Sequence, residues 1–119
     1  MVIDIPGVDH GRVMELYNGN MKIFMPVLRS YLSVIPDSLA KLSQVSAETL
    51  PQYTITVHGV KGTSDSIGAE EARKMALELE MLAKAGDLSG VLAKNEALIA
   101  YEKELLDNIQ KWLAKVDAK

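Results

Sequence analysis

The chain has 119 residues, 48% of them hydrophobic but only 5% aromatic, with a formal charge of -3 and no cysteine. That length holds one core but not two, and a composition rich in Leu, Ala, Val, Met and Lys favours helices over a sandwich or barrel. Interspersed charges give no basic field for nucleic acid or anionic lipid, and the lack of cysteine excludes disulfides, thiolate metal sites and cysteine nucleophiles.

Met1 to Gly7 carries Pro6 and Gly7 and reads as an extended lead-in to a short helix near Val8 to Tyr17. Asn18-Gly19-Asn20 breaks the chain, and Asn20 is placed to cap the next helix. From there Met21, Met25, Leu28, Leu32, Ile35, Leu39 and Leu42 recur at steps of three and four, the spacing of a helix laid along a bundle core. Pro36 falls inside this pattern and predicts a kink or a split; the phase continues through it, which favours the kink.

Tyr53-Thr54-Ile55-Thr56-Val57 is a run of β-formers followed by two glycines, and propensity alone predicts a strand. The longer pattern Leu50, Tyr53, Val57, Val60, Ser64 and Ile67 has helical spacing, so we expect a helix from near Pro51 to Gly68. Glu70 to Ala85 follows, with a stripe of Ala72, Met75, Ala76, Leu79, Leu82 and Ala83 and Gly86 just past its end. Asp87 caps the last pattern, Leu88, Val91, Leu92, Leu98, Ile99, Leu105, Leu106, Ile109, Trp112, Leu113 and Val116, which runs nearly to the C-terminus. These elements predict an all-α fold: an antiparallel, up-and-down four-helix bundle with a short N-terminal helix, forming one domain over residues 1–119.

The segment around His58 sacrifices helix stability. Each interior glycine costs about 1 kcal/mol relative to alanine, and Gly59 and Gly62 sit beside β-branched residues that disfavour helix further. Close helix packing is one explanation for the glycines. The other is chemical: one turn beyond His58, Gly62 leaves the ring open to an incoming group, while Lys61 presents a flexible cation for an anion. An imidazole offers a free nitrogen lone pair near neutral pH, and phosphoryl transfer depends mostly on positioning and charge. Taken singly, a helix histidine or a lysine is usually a surface residue; the combination is what points to function.

The run Val57-His58-Gly59-Val60-Lys61-Gly62-Thr63-Ser64-Asp65-Ser66-Ile67-Gly68-Ala69 closely resembles the signature of the histidine-containing phosphotransfer (HPt) domain. In that signature the phosphorylated His is followed by Lys-Gly, a small hydroxyl-bearing pair and a closing Ile-Gly-Ala. The resemblance extends to Ile5-Pro6-Gly7-Val8-Asp9, Tyr17-Asn18-Gly19-Asn20 and Ala83-Lys84-Ala85-Gly86-Asp87. It implies a two-component phosphorelay carrier without kinase activity of its own, either free-standing or part of a hybrid histidine kinase. His58 would accept a phosphoryl group from a receiver-domain aspartyl phosphate and pass it to another receiver aspartate. Lys61 would stabilise the phosphate charge and Gly62 would provide steric access. The implied partners are response-regulator receiver domains and a sensor or hybrid histidine kinase; Mg²⁺ is expected in the receiver, and no cofactor or metal site of the chain's own. The sequence departs from the family at His10-Gly11-Arg12 and at Asn18.

Three other functions compete with the carrier: a receiver-binding scaffold that accepts no phosphate, the dimerising part of a histidine kinase, and a structural helical bundle. Lys84 reads more readily as a solvated lysine than as a second phosphate-binding charge, and His10 as a surface turn residue. Trp112 and Tyr101 read as packing, the methionines as gap-fillers, and Ile55 as a partly exposed apolar residue beside the imidazole suited to receiver docking. No apolar run approaches the roughly 20 residues of a membrane span, and Met1 to His10 lacks the layout of a secretory signal. The chain is therefore expected to be cytoplasmic, without membrane insertion, and as a single-site carrier to be a monomer.

Overall fold

The computed structural model describes residues 2–119 and contains α1 (His10–Tyr17), α2 (Met21–Leu42), α3 (Leu50–Ser66), α4 (Glu70–Lys84) and α5 (Leu88–Asp117). The fold is all-helical, as the periodicity predicts. Short connections reverse the chain after each long helix, so α2 to α5 form an up-and-down bundle in which each helix lies against its neighbours in chain order and α5 closes back on α2. At about 1.5 Å per residue, the 30 residues of α5 account for the 48 Å long axis of the molecule.

The predicted caps are in place. Asn20 accepts from the Lys22 N–H at 3.1 Å and Asp87 from the Gly90 N–H at 2.9 Å. α2 passes through both Pro26 and Pro36 as one helix, so the split considered at Pro36 does not occur. Its buried face is Phe24, Leu28, Tyr31, Ile35, Leu39 and Leu42. Met21, Met25 and Leu32 flank that face rather than centre it, because the bulkier Phe24 and Tyr31 take the innermost positions. Leu92 is a second departure: it lies on the exposed side of α5, not in the core.

α3 forms despite its β-branched run. Thr54 and Thr56 turn their hydroxyls back onto the Leu50 and Gln52 carbonyls at 3.0 and 3.2 Å, and Thr63 bonds the Gly59 carbonyl at 2.7 Å. These contacts hold the threonine side chains along the helix, while Tyr53, Val57 and Val60 supply its buried face.

The lead-in is extended and turns at Pro6-Gly7, with the Val8 N–H donating to the Ile5 carbonyl at 3.0 Å; Met1 lies outside the described residues. Ile3, Ile5 and Val8 are buried in the same apolar cluster as the bundle. His10 is not a turn residue: it opens α1, and its Nδ1 accepts from the Ile3 N–H at 3.1 Å, tying the lead-in down.

Candidate functional site

The exposed face of α3 carries Ile55, His58, Gly59 and Gly62 at helical spacing, opposite Tyr53, Val57, Val60 and Ser64 in the core. Ile55 is 66% exposed. The His58 side chain is 64% exposed. A Cβ placed on Gly59 or Gly62 meets nothing within 4 Å. Close packing of another helix therefore does not explain these glycines. Gly62 instead borders a groove of about 450 Å³ shared with Pro26, Val27, Ser30, Tyr31, Thr63 and Ser66.

One residue the sequence did not single out organises the site. Glu80 on α4 is only 2% exposed, and it faces His58, Lys61 and Lys84 together. His58 Nδ1 lies 2.7 Å from Oε2, Lys84 Nζ lies 3.0 Å from Oε2, and Lys61 Nζ lies 2.6 Å from Oε1. Lys61 Nζ lies within ion-pair distance of Oε1, the carboxylate oxygen without an aligned hydrogen-bond donor. Burial pushes the Glu80 carboxyl up, but Lys61, Lys84 and His58 outweigh it and bring it down to about 2. Near neutral pH Glu80 is an anion.

That anion fixes the imidazole. A carboxylate can only accept, so Nδ1 carries the hydrogen and donates it, and in the neutral ring the lone pair belongs to Nε2. Lys84 is a solvated lysine, its side chain 62% exposed, with its ammonium 3.0 Å from the Glu80 carboxylate. Two ammonium groups and one carboxylate leave the cluster with net positive charge beside an open nucleophilic nitrogen, an arrangement suited to an incoming phosphoryl group.

The signal for Glu80 was present in the periodicity. It follows Ala76 by four residues and precedes Ala83 by three, so the apolar phase of α4 carries it to the inner side. A carboxylate in that phase requires cations, and α3 supplies one in Lys61.

A roomier hollow of about 800 Å³ lies near α1 and contains none of this cluster. Its walls are an ion-pair network: Arg12 lies 3.7 Å from Asp65 and 3.8 Å from Glu70, and Arg73 lies 3.3 Å from Glu70. These charges satisfy one another and tie α1, α3 and α4 together, and they account for Arg12 at a position where the sequence departs from the HPt pattern. Among the described residues no group of His, Cys, Asp and Glu side chains is disposed to hold a metal ion, and no helix is long and apolar enough to cross a membrane.

Comparison with known proteins adds one finding. No curated protein and no solved structure matches the chain, but a family model does, over residues 26–117, which include all of α3, α4 and α5, the His58 cluster and most of α2. That family is the Hpt domain, whose members serve histidine phosphotransfer in phosphorelays with receiver domains and kinases, and the chain belongs to it.

Proposed function

We propose that the chain is one phosphorelay carrier unit that takes a phosphoryl group onto His58 from a receiver aspartyl phosphate and yields it to a second receiver aspartate. The observation that carries this reading is the pairing of a buried Glu80 with Nδ1 of an exposed imidazole. With Nδ1 protonated, the Nε2 lone pair attacks phosphorus as the acyl phosphate P–O bond breaks, and the aspartate carboxylate leaves with the electron pair. The new N–P bond places positive charge on the ring, and Glu80 stabilises it through the Nδ1–H bond. Lys61 and Lys84 face the phosphoryl oxygens with their ammonium groups, and Gly62 leaves the line of approach open. Return transfer reverses the same steps.

Mg²⁺ in this scheme belongs to the receiver's acidic pocket, and the chain contributes position and charge rather than kinase chemistry. Ile55 and the groove beside Gly62 form the apolar part of the receiver contact. The protein acts as a cytoplasmic monomer that meets its receivers one at a time.

Incubation with a phosphorylated receiver tests the proposal. Acid-labile label is expected on the chain, and His58→Gln is expected to abolish it while leaving the helical content unchanged. Stable receiver binding with no label would make the chain a scaffold, and neither binding nor label would make it a structural bundle.

A further inference from the structure

Glu102 on α5 is 0% exposed. Its two oxygens meet hydroxyl groups from two other helices: Tyr31 of α2 at Oε2, in a short contact, and Ser64 of α3 at Oε1, at 3.0 Å. Ser64 also acts on the Tyr31 hydroxyl, so the three groups adjoin one another. No described lysine, arginine or histidine pairs with Glu102. The titratable groups facing this junction are Tyr31 from α2 and Tyr101 from α5, with Glu71 of α4 and Glu104 of α5 acting on Tyr101; α3 presents only the uncharged Ser64. Every one of them is a phenol, a hydroxyl or an acid, and none compensates a negative charge.

An ionised carboxylate here would be a buried charge with two neutral donors and no cation, an arrangement that costs several kcal/mol. A protonated carboxyl group removes that charge: Ser64 O–H donates to Oε1 and the Glu102 O–H donates to the Tyr31 oxygen, so both carboxyl oxygens keep a hydroxyl partner.

We propose that Glu102 resides in the core as a neutral carboxylic acid whose proton latches α2, α3 and α5 to one another beneath the Gly62 groove. The position bears on the site because Tyr31 lines that groove and Ser64 lies two residues beyond Gly62. The inference does not depend on phosphotransfer. Burial, opposed by the two hydroxyl contacts, raises the Glu102 carboxyl above its ordinary value. A group raised on folding stabilises fully below its unfolded value, and that contribution is lost as pH rises through the folded value. The latch is therefore sensitive to alkali, not to acid.

Two measurements test it. Infrared spectra of the wild type at neutral pH should show the C=O stretch of a protonated carboxyl group, and Glu102→Gln should lose that band. In thermal unfolding, Glu102→Gln, whose amide keeps a donor toward Tyr31 and an acceptor toward Ser64 but has one N–H over, should gain several degrees relative to the wild type between about pH 5 and about pH 9. Absence of the protonated band, or an equal deficit of the variant at every pH, would overturn the proposal. Should Glu102→Gln not fold, titration of the Glu102 carboxyl carbon by NMR in the wild type decides: an acid-form shift at neutral pH supports the latch and a carboxylate shift refutes it.

Discussion

Glu80 and Glu102 are both buried glutamates, and their surroundings drive them in opposite directions. Burial alone raises a carboxyl group, as it does at Glu102. At Glu80 two ammonium groups and an imidazole N–H reverse the sign. The consequence for stability follows from the direction. A carboxyl lowered on folding contributes stability above its unfolded value of 4.5, and that contribution is lost as pH falls toward about 2. Glu80→Gln should remove this acid step: comparison of thermal unfolding at about pH 5 and about pH 2 should show a smaller loss in the variant than in the wild type. At neutral pH the variant should be the less stable of the two, since Lys61 and Lys84 then face each other without their shared anion. It should also take label about tenfold more slowly, the worth of one hydrogen bond to a charged group, because Nδ1 is no longer held as the donor. An unchanged acid step in Glu80→Gln would mean that the cluster is not coupled to folding.

The helices were readable from the spacing of their apolar residues, and α3 is the informative case. Its composition predicts a strand, yet Tyr53, Val57 and Val60 bury as the helical period requires, and the threonines settle by bonding the preceding turn. What the apolar pattern concealed were the polar groups in its own phase. In α5 the stripe skips one turn between Val91 and Leu98 and again between Leu98 and Leu105, and those turns hold Asn95 and Glu102. Both are buried. Asn95 accepts from the Tyr53 hydroxyl at 2.7 Å and donates to the Leu42 carbonyl at 2.9 Å, while Glu102 meets Tyr31 and Ser64. Their partners lie on other helices, so one-dimensional spacing marks the gap but not what fills it. Glu80 is a partial parallel: His58 and Lys61 reach it from α3, while Lys84 lies one turn along α4 itself. The glycines of α3 separate local cost from function. Gly59→Ala and Gly62→Ala each add a Cβ that meets nothing, so each should stabilise the protein by about 1 kcal/mol in urea unfolding. Gly62→Gln should keep much of that gain yet slow label transfer, because its side chain occupies the approach to His58. Gly68 is different: its φ is +74°, and a Cβ would lie 2.8 Å from Val13 Cγ2 and 3.1 Å from the Asp9 carbonyl oxygen. Gly68→Ala should destabilise by more than 1 kcal/mol, and a neutral result would mean that the contact between α1 and the end of α3 is dispensable.

The segment shared with the Hpt family begins within α2, at residue 26, but the core does not. Ile3, Ile5, Val8, Val13 and Phe24 precede it and belong to the same apolar cluster. They are fastened at several points: Asp9 N–H to the Gly68 carbonyl at 2.9 Å, Tyr17 O–H to the Ser66 carbonyl at 2.7 Å, and Asn108 to the Pro6 carbonyl at 3.3 Å. The lead-in thus closes one end of the bundle, where α3 stops and α4 starts. Deleting residues 1–9 removes three buried aliphatic side chains worth about 1.5–3 kcal/mol each, less the part already buried in a compact unfolded chain. A loss of about 4–6 kcal/mol is expected, a large share of the 5–15 kcal/mol that holds a typical domain, and urea unfolding followed by circular dichroism should show the midpoint fall accordingly. The chemistry should respond differently from the stability. Glu80 lies ten residues along α4 from Glu70, about 15 Å from the end that the lead-in closes, and none of His58, Lys61, Glu80 or Lys84 bonds to residues 2–9. Under conditions where the shortened chain is still folded, it should accept label from a receiver at close to the full-length rate. Loss of transfer from a chain that remains helical would instead mean that the lead-in governs the site directly.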